Sequence, residues 1–86
     1  MWLSIRSGEQ TGRIVEVNKD RFVIGRDEDA DLQLPDEKLS RKHASLTAHG
    51  GGRFMLQDLG STNGTYVDDK KLTHPHELQG GEQIRV

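Results

Sequence analysis

The sequence predicts an all-β fold, a sandwich or barrel of short strands. Two observations carry that reading. Apolar and polar residues alternate in short runs, and the runs are separated by Gly, Asn, Asp and Pro rather than by helix caps. Leu, Ile, Val and Phe make up 20 of the 86 residues, enough for one thin core and no more. The strands follow in order. Leu3 and Ile5 alternate with Ser4 and Arg6, and Val15 and Val17 flank Glu16. Phe22-Val23-Ile24 is a continuous apolar run, as expected of a strand buried on both faces. Leu32 and Leu34 straddle Gln33. Ala44, Leu46 and Ala48 alternate with Ser45, Thr47 and His49; Gly50-Gly51-Gly52 then turns the chain, and Phe54 and Leu56 resume the inward face. Shorter pieces surround Tyr66-Val67, Lys71-Leu72 and Gln83-Ile84-Arg85-Val86. Only one stretch competes as a helix. Pro35 with Asp36 and Glu37 behind it could open one running to Leu46, but Leu39, Ala44 and Leu46 make a poor apolar face.

Composition narrows the function classes. Residues 1–86 read as one domain, with no internal repeat, linker or low-complexity tract. A net charge of −2 argues against general nucleic-acid binding, which needs a strong positive field. With no cysteine there is no disulfide framework and no Cys-based zinc site. No segment approaches the roughly 20 apolar residues of a membrane span, and Met1–Arg6 lacks the apolar run of a signal peptide. The expectation is a soluble cytoplasmic domain that contacts neither membrane nor nucleic acid and needs no cofactor or metal.

Three clusters stand where strands break into loops: Gly25-Arg26, Ser40-Arg41-Lys42-His43 and Ser61-Thr62-Asn63-Gly64-Thr65. Together they supply an arginine fork, hydroxyls, an amide and two turn glycines. Those groups suit a phosphate dianion and the peptide backbone beside it. Arg26 precedes Asp27-Glu28-Asp29 and could instead pair with them at the surface. Asp27, Asp29 and Asp31 echo a calcium loop, but Leu32 stands where such a loop needs Gly, and its twelfth position falls on Lys38. Ser40 and His43 invite a hydrolase reading. Three apart on an extended segment, however, they would point to opposite faces, and no Gly-x-Ser-x-Gly elbow is present. Thr62-Asn63-Gly64 could be a plain turn, His74-Pro75-His76 offers two metal ligands without a third, and Lys70-Lys71 reads as a solvated edge or turn.

At these residues the chain resembles the forkhead-associated (FHA) domain, a phosphothreonine-peptide reader. The resemblance rests on Gly25-Arg26 after a strand, Ser40-x-x-His43, and Asn63-Gly64 ahead of a short strand. Leu78-x-Gly80-Gly81-Glu82-x-Ile84 adds weaker support, with Glu82 where the family usually has Asp. It covers roughly Leu3 to Val86. The resemblance implies an FHA/SMAD-like β-sandwich, here of about ten short, mainly antiparallel strands, lacking the family's last strand. It also implies that Arg26, Ser40, Arg41 and Thr62 contact phosphate and that Asn63 holds the peptide main chain. Gly25, His43 and Gly64 would be scaffold. Lys38 is the best candidate for reading residues after the phosphothreonine. The expected partner is a phosphothreonine-containing protein downstream of a Ser/Thr kinase, and no catalysis is expected. An FHA-fold interaction domain indifferent to phosphorylation is the alternative, and a small Ser/His hydrolase a distant one. Ending one strand short, the chain could be a piece of a longer protein. An incomplete sheet edge would then leave it a monomer or a weak dimer.

Overall fold

The computed structural model describes residues 1–8 and 12–86. It holds ten strands: β1 (Trp2–Arg6), β2 (Arg13–Glu16), β3 (Arg21–Gly25), β4 (Leu32–Gln33), β5 (Ala44–Ala48), β6 (Phe54–Asp58), β7 (Tyr66–Val67), β8 (Lys70–Lys71), β9 (His76–Leu78) and β10 (Gln83–Arg85). Two five-stranded sheets form, in the orders β2-β1-β10-β7-β8 and β4-β3-β5-β6-β9. All pairings are antiparallel except β1 with β10 and β3 with β4. The all-β prediction and the expectation of about ten strands both hold.

The alternation in the sequence becomes the inner faces of the two sheets. Leu3, Ile5, Val67 and Ile84 project from one sheet, and Phe22, Ile24, Leu46, Leu56 and Leu78 from the other; all are buried. Each such side chain withdrawn from water contributes roughly 1.5–3 kcal/mol. With only two layers, each sheet keeps one face in solvent. That corrects the reading of Phe22-Val23-Ile24 as buried on both sides: Phe22 and Ile24 face inward, while Val23 faces outward and is half-buried. The helix alternative after Pro35 is not adopted either. Residues 35–42 form tight turns, with the Asp36 N–H donating to Leu34 O (2.8 Å) and the Leu39 N–H to Asp36 O (2.9 Å).

Strand direction sorts the connections into two ends. β1, β3, β6 and β10 all run toward one end, so the loops after Gly25, before Ala44 and after Asp58 gather there. The Gly50–Gly52 turn between β5 and β6 lies at the other end, as does Gly80–Gly81 before β10. β10 does not create the open edge expected of a sheet short by one strand. It is bonded to β1 on one side and β7 on the other, and Val86 N–H continues the ladder to Arg6 O (2.9 Å). The edges of the two sheets are β2, β8, β4 and β9.

Candidate functional site at the loop end

The three sequence clusters meet at this end. Backbone bonds stitch the β3–β4 loop to the β4–β5 loop: Arg26 N–H donates to Ser40 O (3.2 Å) and Asp27 N–H to Arg41 O (3.1 Å). That approach is why position 25 is glycine. A Cβ there would lie 2.0 Å from the Arg41 carbonyl oxygen, a backbone atom that cannot step aside. Gly25 is thus scaffold that sets how closely Arg26 and Arg41 can stand.

His43 is fully buried and joins the β4–β5 loop to the β6–β7 loop. Its Nε2 lies 2.7 Å from Gly64 O, and its Nδ1 lies 3.4 Å from the Ser40 amide. A carbonyl can only accept, so Nε2 carries the proton and Nδ1 accepts from Ser40 N–H. Both ring nitrogens are therefore spent on backbone, and His43 has no lone pair for the Ser40 hydroxyl. Ser40 and His43 do not point apart on an extended segment, as their spacing led one to expect. The segment is a turn and brings them together, yet through the Ser40 amide rather than its side chain.

Ser40 Oγ instead accepts the Thr62 N–H (3.2 Å), which leaves the hydroxyl proton free to donate outward. Asn63 Nδ2 donates to Lys38 O (2.7 Å), so its Oδ1 is the group left to accept. Gly64 has φ near 90°, and a Cβ on it would press within 3.1 Å of the Lys71 side chain. Arg26, Arg41, Thr62, Asn63 and Lys38 are exposed, Ser40 is half-buried, and Gly25, His43 and Gly64 are buried beneath them. Among the described residues neither Arg26 nor Arg41 is in an ion pair, so the acidic run after Arg26 does not hold it. Asp31, the last acid of the calcium-like spacing, is tied to Lys19 and to the Val23 amide, which keep its carboxyl below the ordinary range.

Sequence reasoning missed three supports. The Asp58 carboxylate accepts from the amides of Gly60 (3.1 Å) and Ser61 (3.0 Å), from Ser61 Oγ, and from the buried Thr65 hydroxyl (2.8 Å). Ser61 Oγ accepts in turn from the Gly64 amide (3.0 Å). Burial pushes the Asp58 carboxyl up, but the Ser61 and Thr65 donors outweigh it and the result lies below the ordinary value of 3.8. Asp36 bridges the buried Ser7 hydroxyl at the end of β1 to the Lys38 amide (2.9 Å), and those two donors lower its carboxyl as well. The signal for Asp58 was present in Asp58-Leu59-Gly60-Ser61, where an Asp precedes a Gly-Ser turn and can bond two residues on. At the far end Glu82 accepts the Gln79 and Gly80 amides (both 2.6 Å), so the longer acid caps that turn where the resemblance led one to expect Asp.

The arrangement presents two guanidinium groups, hydroxyls and an amide on a braced loop platform. The sequence model of the FHA domain matches residues 22–86. The chain belongs to the FHA domain family. FHA domain-containing protein FhaB of Mycobacterium tuberculosis is 35% identical over 85 residues, covering 99% of this chain and 54% of that protein. The chain thus spans about half the length of the curated relatives it matches. An FHA domain solved in a structural and functional analysis of phosphothreonine-dependent FHA domain interactions superposes with a TM-score of 0.76 at 35% identity, over 90% of this chain and 78% of that one. Mycobacterium tuberculosis EmbR in complex with a low-affinity phosphopeptide gives 0.78 at 31% identity, over 87% of this chain and 20% of that one. Among the described residues of this FHA domain, no helix is long and apolar enough to cross a membrane.

Proposed function

We propose that this FHA domain is a phosphopeptide-binding module that reads phosphothreonine in a partner protein phosphorylated by a Ser/Thr kinase. The observation that carries the reading is the gathering of Arg26, Ser40, Arg41, Thr62 and Asn63 on adjoining loops, with neither arginine in an ion pair among the described residues. A phosphothreonine brings about −1.5 to −2 charge and three strong acceptor oxygens. The Arg26 fork meets two of those oxygens, the free Ser40 proton a third, and Arg41 and Thr62 complete the shell. Asn63 accepts from the peptide main chain, and Lys38 faces residues beyond the phosphothreonine. Gly25, His43 and Gly64 hold these groups in place. The module works without catalysis or cofactor, in the cytoplasm, and contacts neither nucleic acid nor membrane.

Titration with matched peptides tests the reading. Arg26→Ala removes a charge-assisted bidentate contact of roughly 1.5–3 kcal/mol, about 10- to 150-fold in affinity, with unchanged melting. Arg26→Lys recovers little, because the fork belongs to the guanidinium. Phosphothreonine is expected to exceed phosphoserine by more than the roughly fourfold that one buried methyl is worth. Affinity weakens between about pH 7 and pH 5 as the phosphate, with a second pKa near 6, gains a proton. Equal binding of phosphorylated and unphosphorylated peptide at pH 7 would overturn the assignment in favour of a phosphorylation-indifferent interaction domain.

A further inference from the structure

Beside the loop cluster, one row of side chains crosses the outer face of the β2-β1-β10-β7-β8 sheet. Arg6 stands opposite Arg85, Arg85 opposite Tyr66, and Tyr66 opposite Lys71. Ile5, Ile84 and Val67 beside them in the chain are buried, so the row faces solvent. The Arg85 guanidinium carbon sits 3.9 Å from the Tyr66 ring centroid, over the aromatic face. Like charges directly opposite each other on a sheet are unfavourable. Here Arg6 faces Arg85, and acid compensation is sparse. Arg6 has Asp69 at 3.9 Å, itself 77% exposed, and donates to Gly8 O (2.6 Å). Among the described residues no carboxylate pairs with Arg85 or Lys71. In a chain of net charge −2, three cations aligned in one row is a local feature and not a reflection of composition.

The row runs into the loop cluster. A cavity of about 170 Å³ has Tyr66 and Arg85 on one wall and Lys38 and Asn63 on another. Asp36 also lines it and keeps its negative charge, its oxygens accepting from the Ser7 hydroxyl and the Lys38 amide, so the cationic side of the cavity is the Arg85 and Lys38 side. The surface beside Asn63 therefore carries Lys38 and Arg85, with the Lys71 side chain close to Gly64.

We propose that Arg85, Tyr66 and Lys71, with Lys38 at the junction, form an anion track that takes acidic side chains of the bound segment flanking its phosphothreonine. The proposal rests on the phosphothreonine reading of the loop cluster and adds the class of sequence that reading leaves open. Arg85, stacked on Tyr66 and in no ion pair among the described residues, is the principal contact and Lys71 the outer one. The shared chemistry is an anionic group, supplied by Asp or Glu or by a second phosphate.

The test uses the full chain and a set of phosphothreonine peptides of equal length. Their flanks, on either side in turn, carry Gln, Glu or phosphoserine. At low salt the acidic peptide is expected to bind about tenfold more tightly than the Gln peptide, and salt should shrink the difference. Arg85→Gln and Lys71→Gln, each with a normal melt, should each lose about threefold on the acidic peptide and leave the Gln peptide unchanged. A gain with Glu identifies carboxylates as ligands, and a gain with phosphoserine alone identifies a second phosphate. Equal affinity of wild type for all three flanks would overturn the track while leaving the loop site intact, as would equal losses of both variants on acidic and Gln peptides. If no phosphothreonine peptide binds, or Arg26→Ala binds as wild type does, the reading of the loop site fails and the track falls with it.

Discussion

The two ends of this sandwich are built from the same turn-forming residues and put them to different use. At the far end Gly50, Gly51, Gly52, Gly80 and Gly81 all take positive φ, and nothing within 4 Å would meet a side chain there. Those turns only reverse the chain. At the loop end Gly25 is wedged against the Arg41 backbone, His43 is bonded at both ring nitrogens, and Asp58 collects four donors. Glycine content does not separate the ends. What separates them is how many partners each loop residue must satisfy at once, and a site that holds a ligand needs its loops fixed before the ligand arrives.

The largest expected effect tests that contrast directly. Gly25→Ala forces a backbone displacement at Arg41 and should destabilise the domain by about 3 kcal/mol, with peptide binding lost alongside. Gly51→Ala, where only an unfavourable φ of 59° must be tolerated, should cost about 1 kcal/mol and leave binding alone. Denaturant unfolding of the two variants reads the difference. Comparable costs would dissolve the distinction between the ends.

His43→Ala comes next. It orphans the Gly64 carbonyl and the Ser40 amide, and leaving such buried groups unpaired costs about 1–3 kcal/mol. Stability and affinity should fall together, because the bonds lost are those that hold the Ser40 loop against the Gly64 loop. A normal melt with abolished binding would make His43 a ligand contact and not a brace.

Asp58 contributes a pH signature from the loop end. Its folded carboxyl lies below 3.8, so its contribution is complete above the unfolded value and is lost as pH falls through the lower folded one. Unfolding followed from pH 7 down to pH 3 should show stability dropping below about pH 4. Asp58→Asn should blunt that drop and cost about 1 kcal/mol at pH 7, since an amide keeps one acceptor oxygen where the carboxylate had two. Asp31 and Asp36 are lowered too and move in the same direction, so the wild-type curve reports all three and only the variant isolates Asp58. An unchanged acid limb in Asp58→Asn would remove Asp58 from the bracing of the loops.

How far the sequence disclosed this arrangement depends on the range of the interaction involved. Strand alternation is local, so Leu3 and Ile5, Leu32 and Leu34, and Phe54 and Leu56 could be assigned to the core from their spacing. Val23 could not, because whether a strand is covered on one face or two depends on the number of layers. The loop clusters were visible as residue types, and the family pattern put them at one end. Their wiring was not visible: Ser7 to Asp36 spans 29 positions, and Asn63 to Lys38 spans 25. No local pattern encodes which backbone amide a distant side chain will reach. The place of β10 between β1 and β7 is likewise a tertiary fact, and it reversed the expectation of an open edge.

The smallest expected effect is at the far end. Inserting three glycines into Gly50-Gly51-Gly52 lengthens the five-residue connection between β5 and β6 to eight, less than a doubling. Each doubling of a flexible loop costs about 0.6 kcal/mol of closure entropy. The two neighbouring backbone bonds, His49 N–H to Arg53 O (2.8 Å) and Arg53 N–H to Gly50 O (3.0 Å), bear the change, since no side chain elsewhere packs on the turn glycines. The pairing of Ala48 with Phe54 lies just inside, and the register from Thr47 opposite Met55 to Ala44 opposite Asp58 has no reason to move. Asp58 therefore enters its loop unchanged, and phosphopeptide affinity should stay within about twofold of wild type while the midpoint of unfolding shifts slightly. A several-fold loss of affinity would show that strain at the far turn is passed along β5 and β6 to the loops. The two ends would then be one mechanical unit, and the separation of fold from site proposed for this domain would be wrong.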